Sequence, residues 1–464
     1  MDGDWATLHE LLLPAMSAGG GRPGKAAEAA LREAIRSRHL TADTRLPSSR
    51  DLAGQLGLAR GTVTAMYEQL VAEGYLLSKR GSGTRVARLD QGDTPAAAPP
   101  PADEHWSYNL RPGLPALAAF PRAEWLAAER EALADTPDSA LGYPDPAGQP
   151  VLRAELAAYL GRVRALPTTA GELVITSGAA EALSLLAKDL CTRGLLRIAV
   201  ENPSHRGQAD LLLRQGLQPV GVPVDEHGIV VSALSTSDCQ AVVVSSAHQF
   251  PLGVALHPDR RRELLAWARQ TGGLVIEDDY DAEHRYDRPA LGALRALAPD
   301  RVAYIGSVSK VLAPALRIGW LIPPAKLRAR IVENKHLHDL GCAPLPQSAL
   351  ARLIRSGGYD RHLRRTRRLY RQRRDALLEA LATQLPRWRP IGIAAGLHVV
   401  IRLPAGTDDL ALQAELATRG INAPALSLYT HSPGRAPFPG LVLGYAALPP
   451  ERLRAAVAQM AAVG

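Results

Sequence analysis

Residues 304–320 read YIGSVSKVLAPALRIGW, and this stretch decides the fold. The apolar run VAYIGS has the length and composition of a buried strand. It delivers Gly306 and Ser307 to its end, then Lys310, then Arg317. Small residues around the lysine let a bulky group approach the backbone. A lysine so placed forms an imine with an aldehyde once its amine is desolvated enough to lose its proton. Arg317 suits bidentate contact with a phosphate, and Ser307 and Ser309 add hydroxyl donors. S-x-x-K alone is ambiguous, because serine hydrolases of other folds carry it. An arginine seven residues on, in a Gly-flanked turn, points instead to a phosphorylated aldehyde.

Upstream, LVIEDDYDAEHRY (274–286) places Asp278 and Tyr280 on one side of a second strand. A carboxylate at a strand end can keep a pyridine nitrogen protonated, which makes pyridoxal phosphate (PLP) an electron sink. A neighbouring tyrosine can hydrogen-bond the ring's phenolic oxygen. Glu277, Asp278 and Asp279 could by themselves chelate a divalent cation. Lys310 and Arg317 favour the cofactor, and no metal site is expected. VITSGAAEAL (174–183) puts Ser177, Gly178 and Ala179 between a strand and a helix N-terminus, where free N–H groups receive phosphate. SSAHQFPLG (245–253) ends another apolar strand, so His248 and Gln249 are expected to face the ring.

Short apolar strands (LVIT, LRIAV, AVVVSS, LVIEDDY, VAYIGS) alternate with helices, the rhythm of an α/β domain with a largely parallel sheet. From about Arg361 a long helix and the strands LHVVIRL and LVLGY read as a smaller α+β lobe. Its RHLRRTRRLYRQRR run aligns Arg361, Arg364, Arg365 and Arg368 on one helix face. A solvated face or subunit salt bridges are the plain reading of that run through Arg374, and contact with DNA the sharper one. RLDQGDTPAAAPPPADEHW (88–106) lacks any apolar period and reads as a linker. The expected organisation is a head over 1–87, a linker over 88–107 and a large domain over 108–464.

In the head, SSRDLAGQLG starts a helix with Ser48 or Ser49 as N-cap, and Gly57 ends it. ARGTVTAMYEQLVAEGYL supplies the next helix, the helix-turn-helix outline whose second helix enters a major groove. KRGSGTRVA is a basic turn between two short strands. Arg22 to Arg88 holds twelve Lys/Arg against six Asp/Glu, a balance that attracts phosphate backbones. The whole chain carries +8, which a GC-rich genome could also produce through its arginines. No stretch is apolar enough to span a membrane. LHELLLPAM (8–16), with acids around it, reads as a short helix rather than an export signal. Cys191, Cys239 and Cys342 lack pairing or metal-ligand spacing, which suggests buried thiols in a reducing cytoplasm.

Residues 46–87 resemble the GntR-family DNA-binding domain. That resemblance carries DNA contacts onto Arg45, Ser48, Arg50, Arg60, Thr62, Thr64, Arg80 and Gly83. Ala59 departs from the serine usual there. The remainder resembles fold-type I aminotransferases through YPDPAGQPVLRAELAAYL, VITSGAAEAL, ENPSHRG and the lysine segment. Together they resemble the MocR subfamily of bacterial regulators. The resemblance implies Lys310 as Schiff-base lysine, Asp278 at the pyridine nitrogen and Tyr280 at the phenolic oxygen. It puts phosphate contacts on Ser177, Gly178, Ala179, Ser307 and Arg317, with Tyr143 reaching the other subunit of a head-to-tail homodimer. His205 stands where an aromatic residue usually covers the ring, and Ala180 and Glu181 replace two glutamines. Arg435, then Arg206, are the candidates for the effector's carboxylate.

The resulting expectation is a cytoplasmic, PLP-dependent transcription regulator that binds double-stranded operator DNA. A small amino-group effector would exchange the aldimine on Lys310 for one of its own. The alternative is a working aminotransferase with an accessory DNA-binding head.

Overall fold

The computed structural model describes residues 12–14, 16, 23–79, 83–89, 106–287, 291–431 and 436–463. Arg80 and Arg435, both singled out above, lie outside the described residues, as do most of the linker and the start of LHELLLPAM. The chain divides into two compact units, 1–103 and 104–464. Each is described by itself.

The first unit holds α1 (Pro23–Arg36), α2 (Ser49–Leu56), α3 (Arg60–Ala72) and an antiparallel hairpin of β1 (Leu76–Lys79) and β2 (Gly83–Val86). Leu31, Leu52, Val63, Leu70 and Leu76 form its core. Ser48 caps α2, accepting the Asp51 amide at 3.2 Å while its hydroxyl donates to the Asp51 carboxylate at 2.6 Å. Gly57 closes α2 in the left-handed conformation (φ 65), which a side chain would disfavour and which turns the chain sharply into α3. Ala59 is the N-cap of α3 and offers no side-chain acceptor.

The second unit begins with β3 (Tyr108–Asn109), α4 (Arg122–Ala134) and α5 (Pro150–Arg164), then runs β4 (Val174–Thr176), α6 (Ala179–Thr192), β5 (Arg197–Asn202), α7 (Arg206–Arg214), β6 (Gln218–Asp225) and β7 (Gly228–Ile229). It continues with α8 (Val231–Ser235), β8 (Ala241–Val244), α9 (Pro258–Thr271), β9 (Leu274–Asp279), β10 (Val302–Ser307) and β11 (Gly319–Ile322). Helices α10 (Ala325–Asp339), α11 (Pro344–Arg355) and α12 (Gly358–Gln384) lead to the small lobe: β12 (Arg389–Ile391), β13 (His398–Arg402), α13 (Asp409–Thr418), β14 (Ile421–Asn422), β15 (Gly440–Gly444) and α14 (Pro450–Ala461).

The strands of the main sheet follow the order β4-β11-β10-β9-β8-β5-β6-β7. From β10 through β6 neighbours are parallel, whereas β11 is antiparallel to both of its neighbours. Helices cover both faces, so β8 and β10 are buried along their whole length and read as continuous apolar runs. From β5 the chain adds β6 on one side and later β8 on the other. Such a reversal opens a crevice at the carboxyl ends of the strands, where open α/β sheets take their ligands. The small lobe is not wholly C-terminal: β3 pairs with β14, and Leu110 and Ala116 join the lobe's core with Tyr370, Leu443 and Met460. Ser107, expected in the linker, belongs to this unit and its carbonyl accepts Arg452.

Candidate cofactor site and DNA-binding head

A cavity of about 970 Å³ opens where β8, β9 and β10 end and α6 and α7 begin. Lys310, three residues beyond β10, points its Nζ into it and donates to the Gly113 carbonyl at 2.7 Å. Burial lowers the Lys310 ammonium's pKa against the opposing pull of Asp281 and Asp278. Burial thus favours the neutral, nucleophilic amine.

Asp278 lies level with Ile305 across the β9–β10 pair and lines the same cavity. Its Oδ2 accepts Gln208 Nε2 at 2.5 Å, while its Oδ1 is buried without a hydrogen-bond partner. Burial pushes this carboxyl up to about 6, opposed by the Gln208 hydrogen bond. A buried acceptor without a hydrogen-bond partner, on a residue that lines a cavity, favours a cationic donor from a ligand.

Opposite, Arg317 adopts a left-handed backbone (φ 51, ψ 42), strained for a residue with a side chain. That conformation costs about 1–2 kcal/mol. It turns the guanidinium over Gly178 and onto the Ser177 carbonyl. The approach needs Gly319, since a Cβ there would sit 2.8 Å from the Gly178 backbone. Ala179 and Ala180, at the N-terminus of the fourteen-residue α6, line the cavity with Ser307, Ser309 and Arg317. Free amides, two hydroxyls and a guanidinium form an anion cradle.

Four expectations change. The Ser177 N–H is taken by the Glu181 carboxylate at 2.5 Å, and its hydroxyl contacts Cys342, so Ser177 and Gly178 shape the cradle from behind without lining the cavity. His248 does not line the cavity either: Asp281 holds its Nδ1 at 2.9 Å, and the Tyr280 hydroxyl lies 3.2 Å from the same nitrogen. Gln249 is spent on the carbonyls of Pro203 and Phe250. Cys342, expected as a buried apolar filler, is half-buried and lies 3.2 Å from Lys335 Nζ. For Ser177, His248 and Gln249, a nearby carboxylate, carbonyl or thiol captured a group that sequence order had assigned to a ligand.

Tyr280, His205 and Arg206 do line the cavity. The His205 ring is 5.8 Å from Phe250, and burial together with Lys310 and Arg111 lowers its pKa, favouring neutral imidazole. Tyr143 is 89% exposed and lies away from its own chain's cavity. The three carboxylates of EDD diverge: Glu277 accepts from Ser246 and the Leu294 amide, and Asp279 binds Arg164 at 2.7 Å and the Tyr304 hydroxyl at 2.5 Å. They form no common cation cluster. Arg111, Gln208, His398 and Gly113 also surround the cavity and carry no local sequence signal. Arg111 and Gly113 come from about two hundred residues before Lys310 and meet it only through folding.

In the head, Arg45, Arg50 and Arg60 are exposed and have no carboxylate partner among the described residues. Arg60 and Thr62 open α3, and Thr64 is half-buried one turn on. The Thr62 methyl group packs toward Gly24 of α1. Gly83 starts β2 beside the Arg45 guanidinium. Ser48 is exposed, but its hydroxyl is committed to the α2 cap, a correction to the contact expected of it.

Residues 23–86 match the family of bacterial regulatory proteins of the gntR type, and 113–461 match aminotransferase class I and II. The chain is 36% identical over 430 residues to the HTH-type pyridoxine biosynthesis transcriptional regulator PdxR of Corynebacterium glutamicum, covering 91% of each. It is 32% identical over 451 residues to the probable rhizopine catabolism regulatory protein MocR of Rhizobium meliloti, covering 91% of this chain and 90% of that one. The chain belongs to the MocR family. It joins a GntR-type DNA-binding head to an aminotransferase-like unit. Among solved structures, an archaeal alanine:glyoxylate aminotransferase superposes with a TM-score of 0.71 at 27% identity, covering 77% of this chain and 90% of that one. The α-aminoadipate aminotransferase LysN of Thermus thermophilus, complexed with N-(5'-phosphopyridoxyl)-L-leucine, gives 0.67 at 27% identity, covering 77% and 93%. This family and these neighbours imply PLP use.

The residues fit that group. Asp278 Oδ1 lacks a partner where a protonated ring nitrogen would stand, the α6 cradle suits a phosphate, and Lys310 supplies the amine. Among the described residues no helix is long and apolar enough to cross a membrane.

Proposed function

We propose that this MocR-family regulator holds PLP on Lys310 and uses it to sense a small amine while its GntR head engages operator DNA. The buried Oδ1 of Asp278, without a partner among the described residues and on a residue that lines the same cavity as Lys310 and Arg317, carries the reading. PLP supplies an aldehyde that condenses reversibly with primary amines. Everything else is the work of the chain. Asp278 holds a proton at the ring nitrogen, and Tyr280, backed by His248 and Asp281, donates to the phenolic oxygen. Ala179, Ala180, Ser307, Ser309 and Arg317 bind the phosphate, and the neutral His205 imidazole packs over the ring. Ser177 and Gly178 support that phosphate site from behind. Tyr143, exposed in its own chain, reaches the phosphate of a partner subunit in a homodimer.

An effector amine would compete with Lys310 for that aldehyde, and Arg206 would meet its carboxylate, with Arg111 as a further cation in the cavity. The free Lys310 amine donates to Gly113, a contact that would depend on whether the effector or the lysine holds the aldehyde. Gly113 lies four residues beyond β3, whose Tyr108 pairs with Ile421 and stacks under Arg452 at 4.6 Å. Differential contact of this strap with Lys310 gives the effector a handle on the segment that leads to the head. DNA contact falls to Arg45, Arg50, Arg60, Thr62, Thr64 and Gly83, in a cytoplasmic protein.

The test is the visible absorption of wild type and Lys310→Ala with added PLP. Wild type should develop an imine band that candidate amines shift, and the variant should show only free aldehyde. A colourless wild type, or identical spectra for the two proteins, would refute the reading. Amine-dependent change in affinity for the gene's own upstream DNA, lost in Lys310→Ala, separates sensing from turnover.

A further inference from the structure

The first half of α12 carries a feature that the cofactor site does not use. From 361 to 374 the sequence places eight arginines and no acid. Arg361, Arg364, Arg365 and Arg368 are exposed and line a surface groove of about 370 Å³ together with Leu369 and Gln372. Three nearby arginines find carboxylates: Arg352 meets Asp135 at 2.7 Å, Arg355 meets Glu155 at 2.7 Å and Arg162 meets Asp360 at 2.8 Å. The last pairing also consumes the acid that immediately precedes the run. Along the groove no carboxylate reaches any of the four guanidiniums among the described residues. Arg361 and Arg365 are instead oriented by backbone carbonyls, of Ser356 at 2.9 Å and Ala119 at 2.8 Å.

Four like charges at i, i+3, i+4 and i+7 repel one another and destabilise an isolated helix. Arg162, Arg352 and Arg355 nearby are paired, whereas these four, set on one helix face, have no carboxylate partner among the described residues. Their geometry also selects a ligand. The guanidiniums are strung over about 10 Å of helix, at 1.5 Å per residue, rather than converging on one point. Duplex DNA presents a charge every 1.7 Å or so along its axis, roughly six over that span, which matches an elongated array better than a single phosphate would.

We propose that the Arg361–Arg368 face of α12 is a second contact for duplex DNA, binding its phosphate backbone without reading bases. The choice of duplex DNA as the polyanion rests on the GntR assignment of the head.

The test uses the full chain carrying Arg364→Gln and Arg368→Gln, leaving untouched the two arginines that bond to backbone. Binding is measured across a salt series on two duplexes from the gene's upstream region, one trimmed to the head's footprint and one extended on both sides. Two lost phosphate contacts should make the slope of log affinity against log salt shallower by about 1.8 on the extended duplex. Between 50 and 200 mM salt, wild type should then lose about twelve-fold more affinity than the variant. The trimmed duplex should bind both proteins alike. Equal slopes on the extended duplex overturn the proposal, as does an equal loss on both duplexes. A smaller assembly for the variant in sedimentation would mark this face as a subunit contact and overturn it too. Failure of wild type to bind even the trimmed duplex would count against the GntR reading instead.

Discussion

Replacing Asp278 by Asn should make the cofactor-free protein less sensitive to alkali while weakening its hold on PLP. The carboxyl is raised from an ordinary 3.8 to about 6, chiefly by burial, and one of its oxygens has no partner. An acid whose folded pKa lies above its unfolded one favours the folded state at low pH. That advantage is lost as pH rises from the unfolded value through the folded one. The gap from 3.8 to about 6, at about 1.4 kcal/mol per pH unit, makes ionised Asp278 cost the folded, cofactor-free chain about 3 kcal/mol above pH 7. Roughly half of this is present at pH 5, so about 1–2 kcal/mol develops between pH 5 and 7.5. Asn cannot ionise, and its amide oxygen can still accept from Gln208. Urea unfolding of both cofactor-free proteins, followed by tryptophan fluorescence at the two pH values, isolates this contribution. The wild-type stability should fall by about 1–2 kcal/mol more than that of the variant. Saturating PLP should abolish the difference in wild type by pairing the charge. Parallel pH profiles without cofactor would show that Asp278 is not the strained group inferred here.

Three further outcomes follow from single contacts. Ala59→Ser should add the missing N-cap of α3 and raise the stability of the head by about 1 kcal/mol, read as a higher melting temperature of the first unit. Arg164→Met should leave the Asp279 carboxylate buried and unpaired, costing about 3–5 kcal/mol in denaturant titration, and Asp279→Asn in the same chain should recover part of it. Gly396→Ala should both strain a left-handed backbone (φ 72) and collide with His248 and Asp281. Its loss of more than about 1 kcal/mol should accompany weaker PLP absorbance, since the Tyr280 support is displaced.

Much of the fold was legible because its signals are local. The strands β4, β5, β8, β9 and β10 are short apolar runs, and Gly57 after SSRDLAGQL marks a turn whatever surrounds it. β11 escaped notice because GWLI follows directly on the Arg317 turn and pairs antiparallel, breaking the parallel rhythm. The small-lobe strand β3 was hidden because two residues carry no period, and only pairing with β14 makes them a strand. For the site, residue types near a strand end identified Lys310, Asp278, Tyr280 and Arg317. Competition for hydrogen bonds was invisible there, so His248 and the Ser177 amide were assigned to a ligand while Asp281 and Glu181 already held them.

The order of residues by itself determined a lysine and an arginine seven apart after an apolar strand, an acid on the strand before it, and a basic two-helix head. Those features depend on spacing along one chain, and covalent geometry preserves spacing. Only the tertiary structure decided which of Asp278's oxygens goes unsatisfied, that Gly113 and Arg111 come back to Lys310, and that four arginines of α12 stand without counter-charges among the described residues. Each of those facts is a contact or an absence of contact between distant segments. Such contacts are fixed by packing, desolvation and competition among partners that meet only once the chain has folded.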